Sequence, residues 1–152
     1  LWINAEVAGD FPGQCAEFCG IQHARMGFRV IAEDSATFDA WAARQTSPGP
    51  DAAAQDSGYE AGKELFLTGG CIGCHAMAGQ VTEKLTSLAG PNLSHVGSRT
   101  TIVAGLFENT PEHLATWLRD PQKVKQGTLM KLPRPLTEPE IAALVAYLRA
   151  HQ

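Results

Sequence analysis

The run Cys71-Ile72-Gly73-Cys74-His75 constrains this chain more than any other stretch. C-x-x-C-H spacing lets two thiols add to the vinyl groups of a haem, while the imidazole that follows binds its iron from one face. The surrounding pattern is helical. Tyr59 to Leu67 reads as an amphipathic helix halted by Gly69-Gly70. Thr110-Pro111 supplies a cap and a first-turn proline for His113 to Arg119, and Thr137 with Glu140 makes a capping box for Ile141 to Ala150. Three helices and long loops hold too little apolar core for roughly 95 residues unless a large buried group fills the centre. A zinc site or a thioredoxin-like pair would want a second C-x-x-C or a βαβ pattern, and the sequence has neither.

The residues alone leave the sixth iron ligand open among Met77, Met130, His95, His113 and His151. Met77 lies two residues past the proximal imidazole and is tied to its side. His113 and His151 fall inside or at the end of expected helices, where solvent is their expected fate. Met130 stands in a loop before the last helix, and core filling is the competing role for a methionine there. As a ligand, its soft thioether would favour ferrous iron and raise the potential.

A second motif lies upstream. Cys15-Ala16-Glu17-Phe18-Cys19-Gly20-Ile21-Gln22-His23-Ala24-Arg25-Met26 gathers two thiols, an imidazole and a thioether within twelve residues. That soft set suits copper, with zinc or a reversible disulfide as the plainer alternatives. Phe28 to Glu33 reads as a strand, with another candidate near Leu1 to Val7. Ser35 to Arg44 reads as a short helix capped by its serine. Gln45 to Ser57 (QTSPGPDAAAQDS) has the composition of a flexible linker.

Charge is uneven: of a formal −4, residues 1–55 hold three Arg against seven acidic residues. This argues against a nucleic-acid partner and leaves room for a positively charged protein. No stretch approaches the roughly 18 to 20 apolar residues that span a bilayer, so the chain reads as soluble. Its first residues lack the basic start and apolar run of a secretion signal.

Several of these stretches together resemble a known family. Cys71 to His75, Gly90-Pro91-Asn92-Leu93, Gly97-Ser98-Arg99, Trp117-Leu118-Arg119-Asp120-Pro121 and Gly127 to Met130 look like the class I cytochrome c domain fused to the C-terminus of some bacterial oxidase subunits. The resemblance covers nearly all of residues 58–150. It implies Met130 as the sixth ligand and the Pro91 carbonyl as acceptor for the free ring N–H of His75. It also implies that Arg99 faces a haem propionate and that Trp117 lines the same edge. Lys131 follows Met130 where this family often has Pro. The pattern C-x-E-x-C-x-x-x-H-x-x-M from Cys15 to Met26 is similar to the binuclear copper (CuA) loop of cytochrome c oxidase subunit II. That resemblance implies that Cys15 and Cys19 bridge both coppers, His23 binds one, Met26 is a weak ligand and Glu17 offers its backbone carbonyl. At the Glu17 position the related centre of nitrous oxide reductase typically has Trp. The family draws a second His from an upstream strand, and residues 1–14 contain none.

The expectation is therefore a multi-domain chain: a cupredoxin-like β fragment over 1–44, a linker over 45–57 and an all-α cytochrome c domain over 58–152. The resemblance implies a C-terminal portion of subunit II of a caa-type oxidase, on the periplasmic or outer face, with the membrane anchor outside this chain. Electrons would enter from a donor such as a cytochrome, reach haem c, pass to copper and continue to other oxidase subunits. The isolated fragment is not expected to be catalytic, and its copper centre is expected to be incomplete. Exposed strand edges in residues 1–44 lead us to expect self-association. A stand-alone carrier with a vestigial copper loop is the alternative. A haem peroxidase usually needs a second C-x-x-C-H and an open iron position.

Overall fold

A computed structural model describes residues 3–46, 57–77 and 89–152. Its first element is an antiparallel hairpin of β1 (Gly9–Gln14) and β2 (Gly27–Ala32), in register from Gly9 opposite Ala32 to Gln14 opposite Gly27. Just beyond, the Cys15 N–H donates to the Met26 carbonyl at 3.0 Å. Hydrogen-bonded pairs alternate along an antiparallel ladder, so Pro12 and Arg29 form a non-bonded pair. The missing proline N–H therefore costs no ladder bond. Arg29 reaches diagonally to Asp10 in a bidentate pair at 2.6 and 2.7 Å. The expected second strand near residues 1–7 is corrected to Gly9–Gln14. GDFPGQ has no β-branched residue, and its extended state follows from pairing with β2 rather than from local preference.

Helix α1 (Ser35–Thr46) follows. Its cap is Asp34 rather than Ser35: the Asp34 carboxylate accepts from the Thr37 N–H at 2.9 Å and from the Thr37 hydroxyl at 3.0 Å. These bonds hold the carboxyl below the ordinary range. Of the expected linker, Gln45 and Thr46 belong to α1 and Ser57 opens α2, while 47–56 lie outside the described residues.

The haem-motif segment is built on α2 (Ser57–Thr68) crossing α5 (Glu138–Ala150). The crossing occurs at Gly62, where a Cβ would lie 2.7 Å from Tyr147 Cβ and 2.7 Å from the Ala143 carbonyl carbon. No side chain fits between the two backbones there. Tyr59, Phe66, Met77, Leu114, Leu118, Ile141, Leu144, Tyr147 and Leu148 form the buried core around this contact. The α5 start carries the expected capping box: the Thr137 hydroxyl accepts from the Glu140 N–H, and the Glu140 carboxylate accepts from the Thr137 N–H at 2.8 Å.

Between them lie α3 (Pro111–Arg119), capped by Thr110, and a short α4 (Pro121–Val124), whose Lys123 N–H bonds Asp120 at 3.0 Å. The expectation of an all-α segment is corrected by one small hairpin, β3 (Thr101–Ile102) with β4 (Phe107–Glu108). His151 is also corrected, from solvent to interior: it is 4% exposed, stacked on Tyr59 and edge-on to Tyr147. Among the described residues, no helix is long and apolar enough to cross a membrane.

Candidate redox centres

Gly70, at φ +89°, ends the chain's run through α2 and turns it into a 3-10 turn over Cys71–Gly73. The Cys74 and His75 N–H groups both donate to the Cys71 carbonyl, at 3.1 and 2.9 Å, which folds the C-x-x-C-H motif onto itself. Cys71 is half-buried against the core, and burial pushes its thiol pKa up; Cys74 is exposed. Neither thiol is in a disulfide.

His75 Nδ1 lies 2.8 Å from the Pro91 carbonyl. A carbonyl only accepts, so Nδ1 carries the proton and Nε2 keeps a free lone pair, the state a metal-binding imidazole needs. Gly90 permits this approach: a Cβ there would sit 2.6 Å from His75 Nδ1. Two unpaired thiols and an imidazole with Nε2 free fit the covalent haem that the motif implies.

Arg99 donates to the carbonyl of Asn92, next to Pro91. Its side chain is exposed over much of its length, but its guanidinium end is desolvated enough to lower its pKa. Asn109 Nδ2 braces this turn by donating to the Val96 and Arg99 carbonyls at 2.7 and 2.8 Å.

Among the candidate sixth ligands, the neighbours differ sharply. Met77 is 1% exposed within the core. His95 Nδ1 bonds the Gln152 carbonyl, His113 stacks on Phe107 and bonds the Glu108 carbonyl, and His151 Nδ1 bonds the Tyr147 carbonyl. Met130 is half-buried against the core in the loop after α4. Gln122 holds that loop by donating to the Thr128 and Met130 carbonyls at 2.7 and 2.9 Å. No sequence signal marked Gln122. Trp117 is half-buried on α3.

The second motif converges as well. Cys15 and Cys19 Sγ are 3.4 Å apart, Cys19 Sγ is 3.9 Å from His23 Nδ1 and 3.8 Å from Met26 Sδ, and Cys15 Sγ is 3.2 Å from the Glu17 carbonyl. The Cys15, Cys19 and His23 donor atoms thus lie within 4.8 Å of one another, with Met26 Sδ beside Cys19 and the Glu17 carbonyl beside Cys15. The hairpin brings them there, because β1 ends at Gln14 and β2 begins at Gly27, joining the two ends of the twelve-residue loop. Gln14 Nε2 steadies the far side by donating to the His23 carbonyl at 2.9 Å. The hydrogen bond with the Cys15 thiol raises the Cys19 pKa, with burial adding to it. Two thiols 3.4 Å apart flanked by a thioether and an imidazole fit a soft metal ion such as copper.

Residues 59–152 match the family model described as cytochrome c. The chain is 39% identical over 154 residues to the protein named cytochrome c oxidase subunit 2 of Alkalihalophilus pseudofirmus, covering 99% of this chain and 42% of that relative. It is 39% identical over 144 residues to the subunit 2 of Bacillus sp. PS3, covering 94% and 40%. Against that of Bacillus subtilis it is 35% identical over 148 residues, covering 96% and 41%. The chain spans about two fifths of the length of these relatives.

Proposed function

This chain belongs to the cytochrome c family, and from that premise we propose that it is the electron-entry portion of subunit II of a bacterial haem-copper cytochrome c oxidase. The observation that carries the proposal is the presence, on one chain, of the C-x-x-C-H turn with its oriented imidazole and of a second, convergent soft-donor cluster. A vestigial copper loop would be under no demand to keep two thiols and an imidazole within 4.8 Å of one another with a thioether beside them.

Bound haem c would supply a one-electron couple, and a copper pair a second one with little rearrangement. The chain's own residues do the rest. Cys71 and Cys74 would anchor the haem, and His75, held by Pro91, would present Nε2 to the iron. Met130 would be a further iron ligand, and Arg99 would offset propionate charge. Cys15, Cys19, His23, Met26 and the Glu17 carbonyl would hold the copper. Electrons would pass from a donor cytochrome to haem, to copper, and on to the other oxidase subunits, with this region on the outer face of the membrane. The units would be 1–44 and 58–152 joined by 45–57. The chain alone would not reduce dioxygen.

Reconstituting the haem-loaded chain with copper and recording absorption and electron paramagnetic resonance tests this. We expect a low-spin haem spectrum and copper bound through Cys15 and Cys19, but without the upstream His no dinuclear centre that survives gel filtration. Absence of covalent haem, or copper uptake unchanged by Cys15→Ser, would sink the proposal. Self-association through 1–44 is checked in the same gel filtration.

A further inference from the structure

Hydrogen bonds run in series from the loop that ends in Met26 to the loop that carries Met130. Arg25, beside Met26, donates from Nη1 to the Val124 carbonyl at 3.2 Å. Val124 is the last residue of α4, where carbonyls have no partner within the helix. A side chain from 99 positions upstream therefore satisfies it. On the same short helix, Gln122 donates to the Met130 carbonyl at 2.9 Å.

A parallel contact runs beside this one. The Gly27 N–H donates to the Ala104 carbonyl at 3.1 Å. Gly27 pairs with Gln14 at a non-bonded ladder position, so its N–H points off the hairpin and toward the haem segment. Val103 and Ala104, between β3 and β4, both sit at φ +57°. Side-chain-bearing residues rarely adopt that region, and two in succession mark a turn held by its surroundings. Further along, the two segments part around a cleft of about 550 Å³ lined by Arg29, Trp41, His95 and Arg99. The contact is thus concentrated at the loop end.

We propose that Arg25 and Gln122 are positioning residues that clasp the Cys15–Met26 loop to the Met130 loop, fixing the separation of the two redox centres within one chain. The proposal rests on the haem and copper assignments for the function but not for the clasp itself. Met26, Arg25, Val124, Gln122 and Met130 then form a continuous link between the two ligand sets, and transfer between them does not wait for a diffusive encounter of tethered units.

The amide of Gly27 reports the clasp directly, because its acceptor, the Ala104 carbonyl, lies across it. Hydrogen exchange is followed by nuclear magnetic resonance in the haem-loaded chain, ferrous and free of copper. We expect Gly27 to be protected and Arg25→Met, which keeps the aliphatic stem, to speed its exchange about tenfold, the scale of one lost hydrogen bond. Arg25→Lys should restore most of the protection. Gln122→Leu should weaken the sulfur-to-iron absorption band while leaving Gly27 protected. An unprotected Gly27, or exchange unchanged in Arg25→Met with an intact far-ultraviolet spectrum, overturns the proposal. In the copper-loaded subunit, flash-reduced haem should pass its electron more slowly in Arg25→Met. Arg25-dependent protection without any electron passage upholds the clasp and removes the proposed route instead.

Discussion

Replacing Gly62 by alanine sets two effects of opposite sign against each other. In a solvent-facing helix the change would stabilise by about 1 kcal/mol, because alanine is the better helix former. Here the new Cβ would lie 2.7 Å from Tyr147 Cβ and from the Ala143 carbonyl carbon, where carbon atoms prefer about 3.5 Å or more. The axes of α2 and α5 must separate by about 1 Å, and a gap of that size forfeits a quarter to a half of each dispersion contact along the seam. Overpacking of this kind costs about 1–3 kcal/mol, and the seam is the core itself, so the upper end applies. Setting that against the propensity gain leaves a net loss of about 2 kcal/mol. For a unit of this size such a loss lowers the melting temperature by about 8–16 °C. Thermal and urea unfolding of the haem-loaded chain, followed by far-ultraviolet circular dichroism, measures it. If Gly62→Ala melts at or above the parent temperature, the close approach of the two backbones is not what holds this unit.

Other perturbations separate the candidate ligands from their neighbours. Met130→Ala should abolish the sulfur-to-iron band at little cost in folding. Met77→Ala should keep the band and lose about 2–5 kcal/mol, as a fully buried methionine does; the reverse pattern in absorption and urea titration would exchange their roles. Glu140 has its pKa lowered to about 2 by Arg134 and by the Thr137 groups of the capping box. A depressed carboxylate stabilises above its unfolded value of about 4.3 and loses that contribution as pH falls. The urea midpoints of the parent and Glu140→Gln should therefore differ near pH 6 and converge toward pH 2. Cys15→Ser should abolish tight copper binding in a competition titration while leaving the haem spectrum unchanged, since the two donor sets share no residue.

Features written in local chemistry were legible in the sequence. Thr110-Pro111 and the Thr137–Glu140 box start helices because the bonds they make lie within one turn of the chain. The C-x-E-x-C-x-x-x-H-x-x-M spacing was readable for the same reason: a hairpin closes that loop, and nothing distant is needed to gather its donors. What escaped depends on distant partners. β1 is extended because β2 pairs with it, although Pro12 and two glycines argue otherwise. Asp34 outcompeted Ser35 as a cap because its carboxylate reaches both Thr37 groups. His151 is buried because Tyr59 and Tyr147, from opposite ends of the haem segment, converge on it. Gln122 gave no signal, since a glutamine in a four-residue helix matters only through the carbonyls it meets.

The crossing of α2 on α5 also bears on the order in which this polypeptide can mature. Residues 57–68 pack chiefly against residues 138–150, which lie far along the chain. Until that stretch is available, α2 lacks the main partner of its apolar stripe, and the cysteines that follow it directly remain within reach of outside chemistry. A chain whose two helices have not yet met thus leaves an interval in which a bulky planar group can be joined to Cys71 and Cys74 before the seam closes. The same long-range seam that gives the finished unit its stability makes the unfinished one accessible.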